Sequence, residues 1–430
     1  MAPQEAQLPD LRTPIPGPRS RRLAARLGRV ESRNVTCLAP TAPIFWERAS
    51  GSNVWDVDGN RFIDLTAAFG VATTGHGHPR VVSALHEQAE ALVHGMGDVH
   101  PSRTKVELLE ALARLYPGGE ETRSVLGSSG SDAVESALKT ALLATGRPGV
   151  VAFEGAYHGL SLGALDVTWR HDFRDPFRAR LPRHTVFARF GDLGDVCRVA
   201  AESASPIGAI LVEPIQGRGG DRVPPAGFLA ALREVCDREG WLLIADEIYT
   251  GFGRTGRTWA CDHEAVVPDL LCVGKGLASG MPLSACMGRR TLMDDAWPKS
   301  LGEALHTQTF LGHPLGCAAA LASIAVLEDE KLADRAAATG AVALEQLGAG
   351  LSGAKAVADV RGRGLMLGVE LASGEQTAGV VRRCLEHGVI LLPSGGDGRV
   401  VSITPPLVIE PDLLLHALDV LLEAILGNPA

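Results

Sequence analysis

Lys275 is flanked by small residues in Val273-Gly274-Lys275-Gly276-Leu277-Ala278-Ser279-Gly280 and follows a short apolar run. An amine held in this way can condense with an aldehyde to form a Schiff base, and pyridoxal phosphate is the aldehyde that proteins bind by that route. The usual second requirement is a carboxylate beneath the pyridine nitrogen, which keeps the ring an electron sink. Asp246 qualifies, because it closes the apolar run Trp241-Leu242-Leu243-Ile244-Ala245. A carboxylate buried there without a cation is costly. A protonated ring nitrogen would supply that cation, and a structural ion pair with Arg254 or Arg257 is the alternative.

An anion site also has a candidate. Gly127-Ser128-Ser129-Gly130-Ser131-Asp132-Ala133 opens a strong helical pattern. Small residues admit an anion to the backbone, and the free N–H groups and dipole of a helix start bind phosphate. The same string also serves as ordinary N-capping. Tyr157-His158-Gly159 follows the apolar run Val150–Phe153 and offers an aromatic face, although a single aromatic at a strand end is more often core.

The elements that must hold these residues follow an α/β pattern. Val54 to Asp64 reads as a hairpin turning at Asp58-Gly59. Strands are predicted at Val150–Phe153, Ala209–Glu213, Leu242–Asp246 and Leu271–Val273, with helices such as Asp132–Thr145 and Gly227–Glu239 between them. Short, nearly continuous apolar strands alternating with helices imply a parallel sheet buried on both faces, with ligands at the carboxyl ends of its strands. Glu213, Asp246 and Lys275 all fall at such ends. An Ala-rich helix after about Leu315 leads to a second unit, with strands expected at Val360–Leu371 and Val400–Ile403.

Composition agrees with a globular enzyme. The chain has 430 residues, 46% hydrophobic and 21% charged, enough for one large and one small domain. Its net charge of −9 argues against nucleic acid as a partner. No apolar run approaches a membrane span, and no secretory signal is evident, which points to the cytoplasm. The 8 cysteines form no Cys-x-x-Cys pair and the 13 histidines no metal-ligand spacing. The first forty or so residues stand apart, with Pro3, Pro9, Pro14, Pro16 and Pro18 followed by an Arg-decorated helical pattern from Ser20 to Ser32. Acidic Glu5, Asp10 and Glu31 disfavour a targeting peptide, so an arm packing on a partner subunit is expected.

From about Val54 to Leu407 the residues resemble the class III (subgroup II) aminotransferases of fold type I. The motifs that carry the resemblance are Gly75-His76-Gly77-His78-Pro79, Glu213-Pro214-Ile215-Gln216-Gly217, Asp246-Glu247-Ile248-Tyr249-Thr250-Gly251-Phe252-Gly253-Arg254-Thr255-Gly256, Gly274-Lys275-Gly276 and His306-Thr307-Gln308-Thr309-Phe310-Leu311-Gly312-His313-Pro314. It implies a large domain with a mostly parallel seven-stranded sheet and a smaller α/β C-terminal domain. The expected boundaries are 1–70 for the arm and a segment packing with the small domain, 71–320 for the cofactor domain and 321–430 for the small one.

The resemblance also implies roles. Lys275 would carry pyridoxal 5′-phosphate and shuttle the proton, and Asp246 would meet the ring nitrogen. Tyr157 and Ile248 would cover the two ring faces, and Gly130 and Ser131 would bind the phosphate. His158 would join the cofactor contacts, with Glu213 near the phenolic side. Thr309 would reach the phosphate of a neighbouring subunit in a homodimer with shared sites. The partners would be a small-molecule amine donor and a keto or aldehyde acceptor. An epimerase or racemase of the same fold is the alternative, with Tyr157 protonating the face opposite Lys275.

Three positions depart from the family pattern. Tyr249 stands where Gln is common, Arg218 where many members have Glu, and Ser402 where those members have Arg. That Glu and Arg pair in the amino-acid enzymes, and the Arg is released to grip an α-carboxylate. Tyr249, Arg218 and Ser402 are therefore the candidate substrate residues, with Arg399 as a fallback clamp. A solvated position on a glycine-rich loop is the plain alternative for Arg218.

Overall fold

The computed structural model describes residues 7–36, 43–119 and 121–427; the expectations at Pro3 and Glu5 lie outside them. Near the N-terminus, β1 (Trp46–Ser50), β2 (Asn53–Asp56) and β3 (Arg61–Asp64) form an antiparallel meander. Its Asp58-Gly59 turn is held by the Asp56 carboxylate, which accepts from Asp58 N at 3.0 Å and Asn60 N at 2.8 Å.

The arm lies on this meander of its own chain. Asp10 and Arg61 exchange backbone hydrogen bonds of 3.1 and 2.9 Å, and Asn60 Oδ1 accepts from Arg12 N at 2.7 Å and Thr13 N at 2.9 Å. The helix Pro18–Val30 starts at Gly17, which has no side chain to cap it. Asp58 does so from outside, accepting from Arg19 N at 2.7 Å and Ser20 N at 2.9 Å.

The seven-stranded sheet contains β4 (Thr122–Gly127), β5 (Gly149–Phe153), β6 (Thr185–Ala188), β7 (Ile207–Val212), β8 (Leu242–Asp246), β9 (Leu270–Val273) and β10 (Ser284–Arg289) in the order β4-β10-β9-β8-β7-β5-β6. The five strands other than β4 and β10 run parallel, and β10 is antiparallel to both its neighbours. Every residue of β5, β7 and β9 is buried, which is why their sequences are continuous apolar runs without alternation. The expected helices appear as Gly130–Thr145 and Phe228–Glu239.

Beyond the helices Pro314–Asp329 and Leu332–Gly350, a four-stranded sheet has the order β11-β12-β15-β14, with β11 (Val357–Arg363), β12 (Met366–Leu371), β14 (Leu392–Ser394) and β15 (Val400–Ile403). The single strand expected at Val360–Leu371 is therefore a hairpin. Gly364, at φ +57°, makes its turn, and a Cβ there would meet the Thr255 carbonyl carbon at 2.4 Å. β13 (Val389–Ile390) leaves this sheet and pairs in parallel with β3, so the N-terminal meander is completed by a C-terminal strand.

Candidate active site

β7, β8 and β9 run parallel and end at one edge of the sheet, bringing Glu213, Asp246 and Lys275 to a cavity of about 200 Å³. Lys275 sits in the left-handed backbone region at φ +42°. Such a conformation costs a non-glycine residue about 1–3 kcal/mol and must be enforced by its surroundings. The enforcement is visible at Gly276. Its carbonyl accepts from Thr73 Oγ1 and Ser323 Oγ, each at 3.2 Å, and a Cβ on it would lie 2.7 Å from Thr73 Cγ2. The Lys275 ammonium lies 3.6 Å from the centre of the Tyr249 ring, and no carboxylate pairs with it among the described residues. Burial pushes its pKa down to about 8, against the opposing charges of Asp246 and Glu213.

The Asp246 carboxylate accepts from Ile248 N at 3.0 Å and pairs with His158 Nδ1 at 2.6 Å. Its partner is thus neither Arg254, which donates to the Leu365 and Pro405 carbonyls, nor the exposed Arg257. Burial works against a charged His158, but the hydrogen bond and charge of Asp246 outweigh it and raise the imidazole's pKa. Spacing gave no sign of this pairing, because 88 residues separate the two. His158 Nε2 is buried without a hydrogen-bond partner. Glu213 accepts from Tyr157 N at 3.1 Å and Gly217 N at 3.3 Å, and burial carries its carboxyl up to about 7.

The helix Gly130–Thr145 points its start into the same cavity. Ser129 and Asp132 form a capping box, which leaves the Gly130 and Ser131 N–H groups without intrahelical acceptors. Ser131 reaches the cavity only because position 159 is glycine, since a Cβ there would lie 2.0 Å from Ser131 Oγ. Tyr157 and Ile248 also line the space. These features fit pyridoxal phosphate: an amine without an ion pair among the described residues, a buried carboxylate, a cradle of N–H groups, an aromatic ring and an aliphatic side chain converge on one cavity.

The candidate substrate residues separate. Tyr249 lines the cavity, but its hydroxyl is engaged by Thr404 Oγ1 at 3.0 Å and its ring is held between two glycines. A Cβ on Gly70 or Gly217 would come within 2.1 or 2.2 Å of that ring. Arg218 lines the cavity with its guanidinium 4.8 Å from the centre of the Tyr157 ring and 5.8 Å from that of Phe173. Ser402 does not line it. It is buried on β15 opposite Gly368, beside Asp221, a fully buried carboxylate that sequence reading passed over. Arg399 is paired with Asp397 in the exposed turn before β15 and offers no clamp. Thr309 is exposed and outside the lining, although the adjacent Gln308 accepts from Ser128 Oγ at 3.0 Å across the helix start.

A lysine, an acid and a phosphate cradle gathered at the strand ends of a seven-stranded, mostly parallel sheet define a pyridoxal-phosphate enzyme of fold type I. Within that class the chain belongs to the class III aminotransferases, whose family model, Aminotransferase class-III, matches residues 37–425. It is 38% identical to the 4-aminobutyrate aminotransferase of Mycobacterium leprae, covering 97% of each chain. It is also 38% identical to the acetylornithine aminotransferase of Methanopyrus kandleri over 89% of this chain and 94% of that one. The ornithine aminotransferase of Toxoplasma gondii, solved with partial occupancy of pyridoxal phosphate at its active site, superposes with a TM-score of 0.85 at 33% identity, covering 94% of each chain. The protein is a pyridoxal-phosphate-dependent aminotransferase, and these relatives do not favour the epimerase alternative.

Proposed function

We propose that Lys275, Asp246 and the helix start at Gly130-Ser131 are the working parts of this aminotransferase, acting on an amine that also carries a carboxylate. The observation that carries the reading is the unpaired Lys275 amine, partly withdrawn from water and facing the Asp246–His158 pair across one cavity. When bound, pyridoxal phosphate supplies an aldehyde for the amine and a ring that takes up the electron pair left when a proton departs. The Gly130 and Ser131 N–H groups would hold its phosphate, and Tyr157 and Ile248 would confine its ring. Asp246, hydrogen-bonded to His158, would be the residue to meet the ring nitrogen. Lys275 would hold the cofactor through its amine, and its Nζ, once free and neutral, would be the base that takes and returns the proton at the substrate carbon. Glu213, which lines the same cavity, would stand near the phenolic oxygen.

Curated relatives named for 4-aminobutyrate, acetylornithine and 5-aminovalerate support a donor of that type, with a keto or aldehyde acceptor. We place the work in a cytoplasmic homodimer, with units dividing near residues 70 and 320. Thr307 Oγ1 donates to Asp98 at 2.8 Å, so the segments around them lie together, and they leave Val93, Met96, Val99 and Phe310 each more than half exposed. An apolar surface of that kind beside Thr309 suits a second copy of the chain. The decisive experiment adds single amino acids to the purified holoprotein without an acceptor. The visible cofactor band is expected to disappear and to return when a keto acid follows. Exchange of the substrate α-proton in heavy water with no loss of the band would sink the reading.

A further inference from the structure

Resting on that reading of the cavity, we infer that Arg218 is the specificity-determining residue that grips the substrate's carboxylate at the cavity wall. From Glu213 to Asp221 every residue is buried except Arg218. The loop is not a slack glycine tether. Gln216 and Arg222 close it with paired backbone hydrogen bonds of 3.0 Å, and the C-terminal sheet pins it from outside. Ser394 Oγ donates to the Gly217 carbonyl at 2.9 Å, Gly395 N donates to the Arg218 carbonyl at 3.1 Å, and Arg361 donates twice to the Gly220 carbonyl, at 3.0 and 2.6 Å. Its glycines answer contacts: a Cβ on Gly217 would strike the Tyr249 ring, and one on Gly219 would lie 2.9 Å from the Gly155 carbonyl oxygen.

The guanidinium so placed rests on Tyr157 and Phe173 and has no ion pair among the described residues. The one acid on its own loop, Asp221, is fully buried on the far side against Gly368. Arg218 and Lys275 are the arginine and lysine that line the cavity, and Lys275 is committed to the cofactor. A planar fork with its donors free, beside the place where an amine reacts, matches a carboxylate on the same substrate. Aromatic support fixes the fork's plane without using its donors.

The test compares holoenzymes in single half-reactions, followed at the cofactor band. The substrates are amino acids of increasing amine-to-carboxylate spacing, each beside the alkylamine of equal length. Wild type should favour at least one amino acid over its alkylamine. Arg218→Met, which keeps the packing on Tyr157 and Phe173, should lower that preference in kcat/KM by roughly 30- to 100-fold, the worth of a charge-assisted hydrogen bond. Arg218→Lys should restore part of it. Calorimetric binding of valerate, an unreactive carboxylate, should weaken in parallel. A wild type without the preference, an equal loss on both substrate kinds, or unchanged valerate binding would overturn the proposal while leaving transamination intact. A Lys275→Ala protein that still converted these amines would remove the cavity assignment itself, which is a separate failure.

Discussion

Two parts of the cavity wall are built on opposite terms. At the end of β8, Asp246 and His158 are both buried, bonded to each other at 2.6 Å, and supplied by loops and strands of a single sheet. On the loop Gln216–Arg222, Arg218 is exposed, has no counter-ion among the described residues, and is positioned by hydrogen bonds from the C-terminal sheet. In the first arrangement acid and imidazole already answer each other before anything enters. The second leaves a charge unsatisfied until something enters, and the junction of two sheets sets its position. Chemistry common to every substrate belongs to the closed wall, and selection among substrates belongs to the open one.

Substitutions should separate the two walls, and the largest effect falls on the lysine both of them face. Lys275→Ala is expected to abolish turnover by about 10⁴-fold or more and to leave the cofactor bound only non-covalently, seen as a changed visible spectrum and as release on dialysis. In the wild-type apoprotein the lowered pKa of Lys275 has a direct readout. Attack needs the neutral amine, so cofactor uptake should accelerate as pH rises towards about 8 and level off above it. A rate that is flat with pH would contradict the buried amine.

Next, Asp246→Asn should cost about 10²–10³-fold in kcat, since it removes a charge aimed at the reacting ring. It should also lower the pKa of His158, a shift that imidazole resonances report and that a merely structural Asp246 would share; the loss in kcat decides between them. On the open wall, Gly217→Ala drives a methyl into a ring 2.2 Å away, so it should destabilise the fold by about 1–3 kcal/mol and move Tyr249. Its loss of activity should appear in KM more than in kcat.

Asp221 gives a pH signature that belongs to neither wall. Burial raises its carboxyl to about 8, so the folded chain keeps a proton that the unfolded chain releases from about pH 4. Stability should therefore fall between those values, and Asp221→Asn should flatten the fall in denaturant titrations. The smallest change is Tyr249→Phe, which loses one hydrogen bond to Thr404 and about 1 kcal/mol, with turnover nearly kept.

What was legible in the sequence followed from burial. β5, β7, β8 and β9 are inner strands whose continuous apolar runs declare themselves, and Asp246 and Lys275 stood out because they end such runs. β4 is only partly buried and β13 has two residues, so neither carried a signal. The pairing of His158 with Asp246, the seating of Tyr249 between Gly70 and Gly217, and the reach of Phe173 towards Tyr157 depend on segments far apart in the chain. Ser402 misled because position along a strand does not say which way its side chain turns. On β15 it turns towards Asp221 and the Tyr249 side chain, behind the cavity lining.

The parallel pairing of β3 with β13 has a consequence for how the protein is born. Ile63 waits for Val389, so a ribosome must deliver every strand of the seven-stranded sheet before the meander gains its last strand. Until then the edge of β3 is covered only where Asp10 pairs with Arg61, and an uncovered edge recruits wrong partners. The residues between them, including Gly70 and every strand of the cofactor sheet, can settle first. Contacts this distant in sequence close slowly. Assembly of this enzyme should therefore return to its first sheet late, with β3 locked in by a segment that emerges after the whole cofactor sheet.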